Sequence, residues 1–536
     1  MGTRSGAQIL VEQLAARKVR RIFGVPGGDC SLDIIQAASE AGIEFVVTRT
    51  ENAAAIMASV TAELSGGIGV VLTTRGPGFA NGVNGLSYAA LDRAPIVMIS
   101  DGYEPTQNYI SHQRIDQLAI AGPLVKAAMR LEAPMNLPAV GAFLDTALSE
   151  PQGPVYLEVT GTGMRCNLPE DSIPVTPAVL RHQPLDQRSL ELARSWLGQA
   201  KRPVMIAGLQ AIEDQACAAL RSLASRWNCP VLATYKAKGV LSDANPLMLG
   251  SYIGGAAEAP VLREADLIVL FGADPVEFPP QPWPYEAPVV EIAARPFARH
   301  YMVPTVSVIG SLAEAGTALE ASLGSSAWTS AHLEGYKSSI LACAEMEDGG
   351  PITPQMAARA ACAALPPDAR IAVDAGAHMM PVLAWFTANR PRDVLISRGL
   401  ATMAFALPAA LAAALEQPDR PVVAFTGDGG LMMCAAELAT AVQARCNLTV
   451  VVLNDSSMTL IGVKQRRRKL PNAGVDYSAS NFADVARGFG GRGFRVEAPA
   501  DLEHALREAM AGDTPSLVDV VVDPEPYHAQ IKAIRG

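Results

Sequence analysis

At 536 residues, 49% of them hydrophobic, the chain exceeds one ordinary core, and two to four domains are expected. A net charge of −10, spread along the chain instead of run together, argues against nucleic acid or an anionic membrane as the main partner. Ala, Val, Leu and Gly dominate and only 5% of residues are aromatic, which suits parallel sheets covered by small-residue helices.

The opening stretch, 5–18, predicts an amphipathic helix with charges inside it, unlike a secretory signal. Strand RRIFGV follows, then PGGDCSLDIIQAAS, strand EFVVTR, a helix over 51–65, strand IGVVLTT, the glycine-rich RGPGFANG, a helix over 82–91 and strand APIVMIS. This alternation predicts βαβ units and a parallel sheet. The Pro-rich, polar segment 168–186 reads as a linker. A second series holds strand RPVMIAG, a helix over 212–226, and strands CPVLATY and ADLIVLFGAD, followed by a proline-dense loop. Residues 327–354 carry no strong strand and read as a link to a third series. That series has a helix over 354–364, strands RIAVDAG and DVLIS, a helix over 404–416, strand PVVAFTG, a helix over 431–444, strand LTVVVLND, a basic helical patch at 464–469 and strand SLVDVVVD. No uncharged apolar span of 18 residues stands out; the Ala-rich run 403–415 is too short to cross a membrane. The cysteines at 30, 166, 217, 229, 343, 362, 434 and 446 show no CxxC spacing and read as reduced thiols of a cytoplasmic protein.

The chemistry concentrates at Gly427-Asp428-Gly429-Gly430, where a strand turns into a helix. Glycines let backbone N–H groups approach a phosphate, and the helix offers its positive end. A carboxylate there would repel phosphate unless a cation stood between them, and Mg2+ is the hard, oxygen-seeking candidate. Asp455 follows 27 residues after Asp428, beyond an apolar strand, so the crossover returns it to the same sheet edge as a second ligand. The Ser457 carbonyl supplies a third, and two diphosphate oxygens and a water complete an octahedron. Alone, GDGG also reads as a plain tight turn.

With these motifs the sequence resembles the thiamine diphosphate (ThDP) enzymes of the acetolactate synthase, pyruvate oxidase and benzoylformate decarboxylase type. Four more stretches carry the resemblance, in family order: FGVPGG (23–28), TRTENAAAIMA (48–58), TTRGPGFANGVNGL (73–86) and SRGLATMAFALPAALAAA (397–414). It implies an α/β fold of three Rossmann-like, doubly wound domains: pyrimidine-binding (1–168), middle (186–326) and diphosphate-binding (350–536). It also implies a homodimer or homotetramer with the active site between subunits.

The resemblance assigns roles. Glu51 matches the glutamate that bonds N1′ of the aminopyrimidine and favours the imino tautomer; without the other motifs it would read as an acid in a helix's first turn. Met403 matches the bulky apolar residue beneath the cofactor. Asp428, Asp455 and Ser457 match metal ligands, with Asp455 standing where the commoner motif has Asn. Gly427, Gly429, Gly430, Ala377, His378 and Met458 match positions at the diphosphate, and Pro26 and Asn81 positions around the pyrimidine.

The pocket departs from the family. Gly28 follows the acetolactate synthase pattern. In SHQRIDQ (111–117) Gln113 is retained, but His112 and Arg114 replace Phe and Glu. Lys126 matches a lysine near the synthases' access channel, and Leu460, Ile461 and Lys464 fall on pocket-facing positions. Pyruvate decarboxylases place a catalytic Glu at Ile461, benzoylformate decarboxylases a His at Thr73 or Thr74, and flavin-type synthases a Trp at Lys464. No decarboxylase-specific proton-donor set is present. The expectation is a ThDP- and Mg2+-dependent carboligase or lyase on a small-molecule 2-oxo acid, acetolactate synthase-like: decarboxylation to an enamine, then transfer to a carbonyl acceptor. His112, Gln113 and Lys464 are the candidates for binding a polar or carboxylate acceptor; His112 also reads as a surface-loop residue and Lys464 as part of a solvated basic helix. The alternatives are a 2-oxo acid decarboxylase releasing an aldehyde, a 2-hydroxyacyl-CoA lyase, or a non-catalytic subunit with the ThDP fold. The strand VMIAGLQ lacks a GxGxxG turn, so FAD is not expected.

Overall fold

The computed structural model describes residues 2–132, 136–169, 173–178, 182–297, 300–345 and 350–536. Three six-stranded parallel sheets organise them. Parallel strands need both faces covered, and the strands Ile96–Asp101, Val155–Val159, Leu267–Phe271 and Thr449–Asn454 are buried at every position.

In the first sheet the strands lie in the order Glu44–Val47, Arg21–Gly24, Gly69–Thr73, Ile96–Asp101, Val155–Val159, Ala127–Leu131. In the third the order is Val394–Ile396, Arg370–Val373, Val422–Gly427, Thr449–Asn454, Ser516–Val521, Arg492–Val496. Numbered along the chain within each sheet, both read 2-1-3-4-6-5. The two outer units share one topology although no residue-by-residue repeat is visible. The middle sheet (Met248–Ser251, Val231–Ala233, Pro203–Ala207, Leu267–Phe271, Val289–Ala293, Val306–Ile309) reads 3-2-1-4-5-6, the Rossmann order.

The outer units pack against each other through small-residue helices. Helix Glu51–Ser65 of the first packs between its neighbour Pro77–Leu91 and Ala406–Glu416 of the third, and one continuous core joins them. The Ala-rich run that is too short for a membrane is this contact: alanines let the helix backbones approach closely. Among the described residues no helix is long and apolar enough to cross a membrane. The middle unit is tied on by ion pairs, Lys236 Nζ to Glu63 Oε2 at 2.9 Å and Arg93 Nε to Asp274 Oδ2 at 2.8 Å.

Several strands have no counterpart in the sequence reading. Ala127–Leu131, Met248–Ser251, Val306–Ile309 and Arg492–Val496 are edge strands, short and only partly buried, so they lack a long apolar run. Val155–Val159 is interrupted by Glu158, whose carboxylate is held by Gln117 Nε2 at 3.0 Å and Arg130 Nε at 2.6 Å. The helix expected over 431–444 is two helices, Asp428–Met432 and Glu437–Gln443, joined by turns. The stretch expected as a link, 327–354, contains helix Ser330–Ala342; Trp328 Nε1 donates to the Pro203 carbonyl at 2.8 Å, so this part packs on the middle sheet. Its residues 346–349, and 170–172 and 179–181 of the first expected linker, lie outside the described residues.

Candidate active site

Both outer sheets reverse strand order between their first and third strands, and ligands of open α/β sheets bind in the crevice at the carboxyl ends there. In the third unit that crevice is formed by Asp374–His378 after strand Arg370–Val373 and by Asp428–Gly430 after Val422–Gly427. Asp455–Met458, after Thr449–Asn454, complete the rim. In the first unit the equivalent edge carries Pro26–Gly28 and Thr74–Gly76.

Asp428 is 3% exposed and accepts three hydrogen bonds, from Gly429 N (2.7 Å), the Tyr477 hydroxyl (2.7 Å) and Ser456 N (2.5 Å). Burial raises its pKa against these donors. Asp455 accepts from Ser457 N (3.1 Å) and Thr459 Oγ1 (2.7 Å). Burial and the charge of Asp428 push it up to about 7. A buried carboxylate whose charge opposes the ionisation of a half-buried one beside it suits a cation. Among the described residues no three Asp, Glu, His or Cys side chains form a cage, and the donor set here is two carboxylates with the Ser457 carbonyl. That set fits Mg2+, which takes one or two carboxylates and fills the remainder with phosphate and water, better than it fits a metal needing an all-protein site.

The crevice also fits a diphosphate. A Cβ on Gly429 would lie 2.8 Å from Met458 Cε and 3.1 Å from the Tyr477 hydroxyl, so a side chain there would press on both groups at the crevice. His378 is 6% exposed, its Nε2 is buried without a partner, and burial lowers its pKa to about 4. A neutral imidazole with an unpaired nitrogen therefore stands beside Gly427, where a ligand oxygen could bond it. Ala377 is buried next to it.

Asp374 was not among the sequence candidates. It is 1% exposed and accepts from Ala404 N (3.2 Å), Phe405 N (3.0 Å) and Thr426 Oγ1 (2.8 Å). It thus ties the segment after Met403 to the GDGG strand, and burial pushes its pKa to about 6. An acid directly after an apolar strand, as in RIAVD, was its only sequence signal. Tyr477 gave none: it lies far from any motif and is brought in by the bridge between Ser457 and Asp476.

Glu51 opens helix Glu51–Ser65 behind the N-cap Thr50 and is 7% exposed. Its Oε2 accepts from Asn81 Nδ2 at 2.5 Å. Met403 is half-buried, beside Thr402, whose hydroxyl accepts from Asn84 Nδ2 at 3.0 Å across the two units. Among the described residues no hydrogen bond or ion pair joins Glu51 and Asn81 to Asp428 and Asp455.

The pocket candidates lie on open surface. His112, Gln113, Lys464, Gly28 and Pro26 are exposed, Ile461 is 45% exposed and Leu460 is half-buried. Gln113 has φ 55° and its carbonyl lies against Gly76. Arg75 and Arg114 both stack on Tyr103, their guanidinium carbons 4.3 and 4.5 Å from the ring centre. Lys126 instead caps helix Val140–Leu148, bonding the Thr146 and Ser149 carbonyls and Ser149 Oγ. Burial lowers its pKa to about 8.

Comparison with known proteins is consistent along the chain. Three models match: the thiamine pyrophosphate enzyme N-terminal TPP binding domain at residues 4–120, the central domain at 190–319 and the C-terminal TPP binding domain at 374–520. The acetolactate synthase of Bacillus subtilis (strain 168) is 28% identical over 97% of this chain and 93% of its own. The acetolactate synthase large subunit of Haemophilus influenzae is 30% identical over 99% and 96%. A 2-hydroxyacyl-CoA lyase of Oryza sativa subsp. japonica is 27% identical over 97% and 95%.

Proposed function

Because the chain belongs to the thiamine pyrophosphate enzyme family and is a ThDP-dependent enzyme, we propose that it is a Mg2+-dependent carboligase of the acetolactate synthase type, acting on a 2-oxo acid. The observation that carries this reading is the third unit's crevice: a buried and a half-buried carboxylate, a glycine turn and an unpaired imidazole nitrogen at one strand edge. In it, Asp428, Asp455 and the Ser457 carbonyl would hold the metal, and the Gly430 amide with His378 would hold the diphosphate, the Gly429 amide being held by Asp428. When bound, the cofactor supplies a carbon nucleophile that adds to a 2-oxo acid and accepts the electrons left by CO2.

The chain's own residues bind and orient. Glu51 would hold a proton on the aminopyrimidine, with Asn81 fixing its carboxylate. Met403 would support the ring from below. His112, Gln113, Lys464, Leu460 and Ile461 would line the acceptor side, with no carboxylic acid among them. The exposure of these residues and of Pro26, Gly28 and Asn81 supports a site closed by a second subunit, as a homodimer or homotetramer. The three units would span 1–168, 186–326 and 350–536. Eight free cysteines support a reducing, cytoplasmic setting. We assign no flavin: in the Rossmann-ordered middle unit Glu277 Oε2 already takes the Leu209 amide at 2.9 Å, the turn a phosphate would need.

The test is CO2 release and product identity from pyruvate in metal-stripped protein, with and without ThDP and Mg2+, for the wild type and Glu51→Gln. Cofactor-dependent acetolactate, lost in the variant, is expected. Acetaldehyde alone would make it a decarboxylase, and cleavage of 2-hydroxyacyl-CoA with no turnover of pyruvate would make it a lyase of the rice relative's kind.

A further inference from the structure

We propose that Glu437 is the positioning residue for Glu51: a carboxylate of the third unit that fixes, from across the interface, the entrance of the helix on which Glu51 sits. The proposal rests on the reading of Glu51 given above. Glu437 begins helix Glu437–Gln443, the next helix after the GDGG turn, and is 0% exposed. Its Oε1 accepts from the amides of Arg49 and Thr50, both at 3.0 Å, and lies 3.4 Å from Thr50 Oγ1. Its Oε2 accepts from Thr440 Oγ1 at 2.7 Å. Thr50 Oγ1 in turn accepts from Ala53 N at 3.1 Å. The two amides immediately before Glu51 thus end on one carboxylate of the other unit. The first turn that carries Glu51 cannot shift without leaving a buried carboxylate and two half-buried N–H groups unpaired.

A buried acid could be mere cement between the units, but its counterpart argues otherwise. Asp92, at the end of helix Pro77–Leu91 in the first unit, accepts from Arg398 N (2.8 Å), Gly399 N (3.2 Å) and Leu400 N (3.3 Å) in the third. Those amides precede Met403. In the shared 2-1-3-4-6-5 order both acids lie in the connection from the third strand to the fourth, Glu437 at the head of a helix and Asp92 just past the end of one, and both grip the loop after the other unit's second strand. Each gripped loop ends on a residue assigned to the cofactor, Glu51 in one and Met403 in the other. The break of the 431–444 segment into two helices sets Glu437 at the head of the second, where it meets the Glu51 loop.

Two readouts on full-length protein test this besides turnover. One is hydrogen exchange of the Arg49 and Thr50 amides without cofactor. The other is deuterium exchange at C2 of ThDP bound with Mg2+, run with a calorimetric Kd for ThDP. In Glu437→Ala both amides should exchange at least ~10-fold faster, and C2 exchange should slow by roughly 10- to 100-fold, while the Kd moves less than about threefold. Glu437→Gln keeps an acceptor oxygen and should restore both rates to within about threefold. Should Glu437→Ala not fold, Glu437→Asp, a methylene shorter, should show the same slowing of C2 exchange. A folded Ala or Asp variant with wild-type C2 exchange overturns the proposal. So does a Gln variant that keeps its amides protected but is as slow as Ala, because charge and not placement would then matter. Wild-type C2 exchange in Glu51→Gln would overturn the reading of Glu51 itself, whatever the Glu437 amides show.

Discussion

Tyr477 donates its hydroxyl hydrogen to Oδ1 of Asp428 at 2.7 Å, and the same oxygen accepts the Gly429 amide. The other oxygen of Asp428 accepts from Ser456 N. The carboxylate is therefore locked in one orientation before any cation arrives, by a tyrosine from a segment that no motif marks. Groups that orient a metal-binding carboxylate cost roughly 10- to 100-fold in metal affinity when removed. Tyr477→Phe should weaken ThDP binding at fixed Mg2+ by about that factor, read by titration calorimetry. An unchanged affinity would reduce Tyr477 to packing against Gly429.

Asp455 and Asp428 should differ in what they tolerate. The oxygens of Asp455 serve Ser457 N and Thr459 Oγ1, and an Asn side chain can keep one oxygen on the metal side while its amide turns to Thr459. Asp455→Asn should keep ThDP binding at saturating Mg2+. Asp428→Asn should lose most of it, because its oxygens accept three donors and an amide would present N–H to one of them. Equilibrium dialysis of both variants checks this. Loss in Asp455→Asn alone would place the metal nearer Asp455 than Asp428.

What could be read from sequence, and what could not, follows from physical range. The GDGG turn and its second acid were legible because short-range rules act on them: strand, glycine turn, helix, and a crossover of fixed reach. The parallel sheets were legible from apolar runs such as VVAF and LTVVVL, and the edge strand Arg492–Val496 was not, because a half-covered edge needs no such run. Asp374, Glu437 and Tyr477 went unseen for a third reason. Their partners lie 31, 388 and 49 positions away; the third sheet brings Asp374 to its partner, the packing of helix Ala406–Glu416 on Glu51–Ser65 does so for Glu437, and the turn back at Asp476 for Tyr477. His112 and Lys464 remain candidates of sequence alone, since their side chains face open surface.

Lys236 is the electrostatic pin between the middle and first units. It is 4% exposed, 2.9 Å from Glu63 and 3.9 Å from Asp92, which is itself 4% exposed. Removing the ammonium leaves two carboxylates buried without their cation. Lys236→Met should cost about 3–5 kcal/mol, enough to lower soluble yield and the thermal midpoint sharply. Adding Glu63→Gln removes one stranded charge and should recover part of the loss. If Lys236→Met melts with the wild type, water reaches Glu63 and Asp92 freely.

Glu277 makes the stability of the middle unit depend on pH. It is 0% exposed and bonded by Thr234 Oγ1, Leu209 N and Asp274 N; Asp274 is a neighbouring charge paired with Arg93, and Arg398 Nε donates to the Glu277 backbone carbonyl at 3.0 Å. Burial, against the Thr234 and backbone donors, raises its pKa from 4.5 to about 7. The folded state therefore binds this proton more tightly than the unfolded state. Below pH 4.5 there is no penalty; as pH rises towards 7 stability is lost, and above 7 the whole difference, about 3 kcal/mol, is gone. Glu277→Gln keeps the acceptor for Leu209 and Asp274 and has no proton to lose. Its thermal midpoint should match the wild type near pH 5 and exceed it by several degrees at pH 8. Equal differences at the two pH values would mean that the carboxyl ionises alike in both states, and the Thr234 and backbone donors would then offset its burial in full.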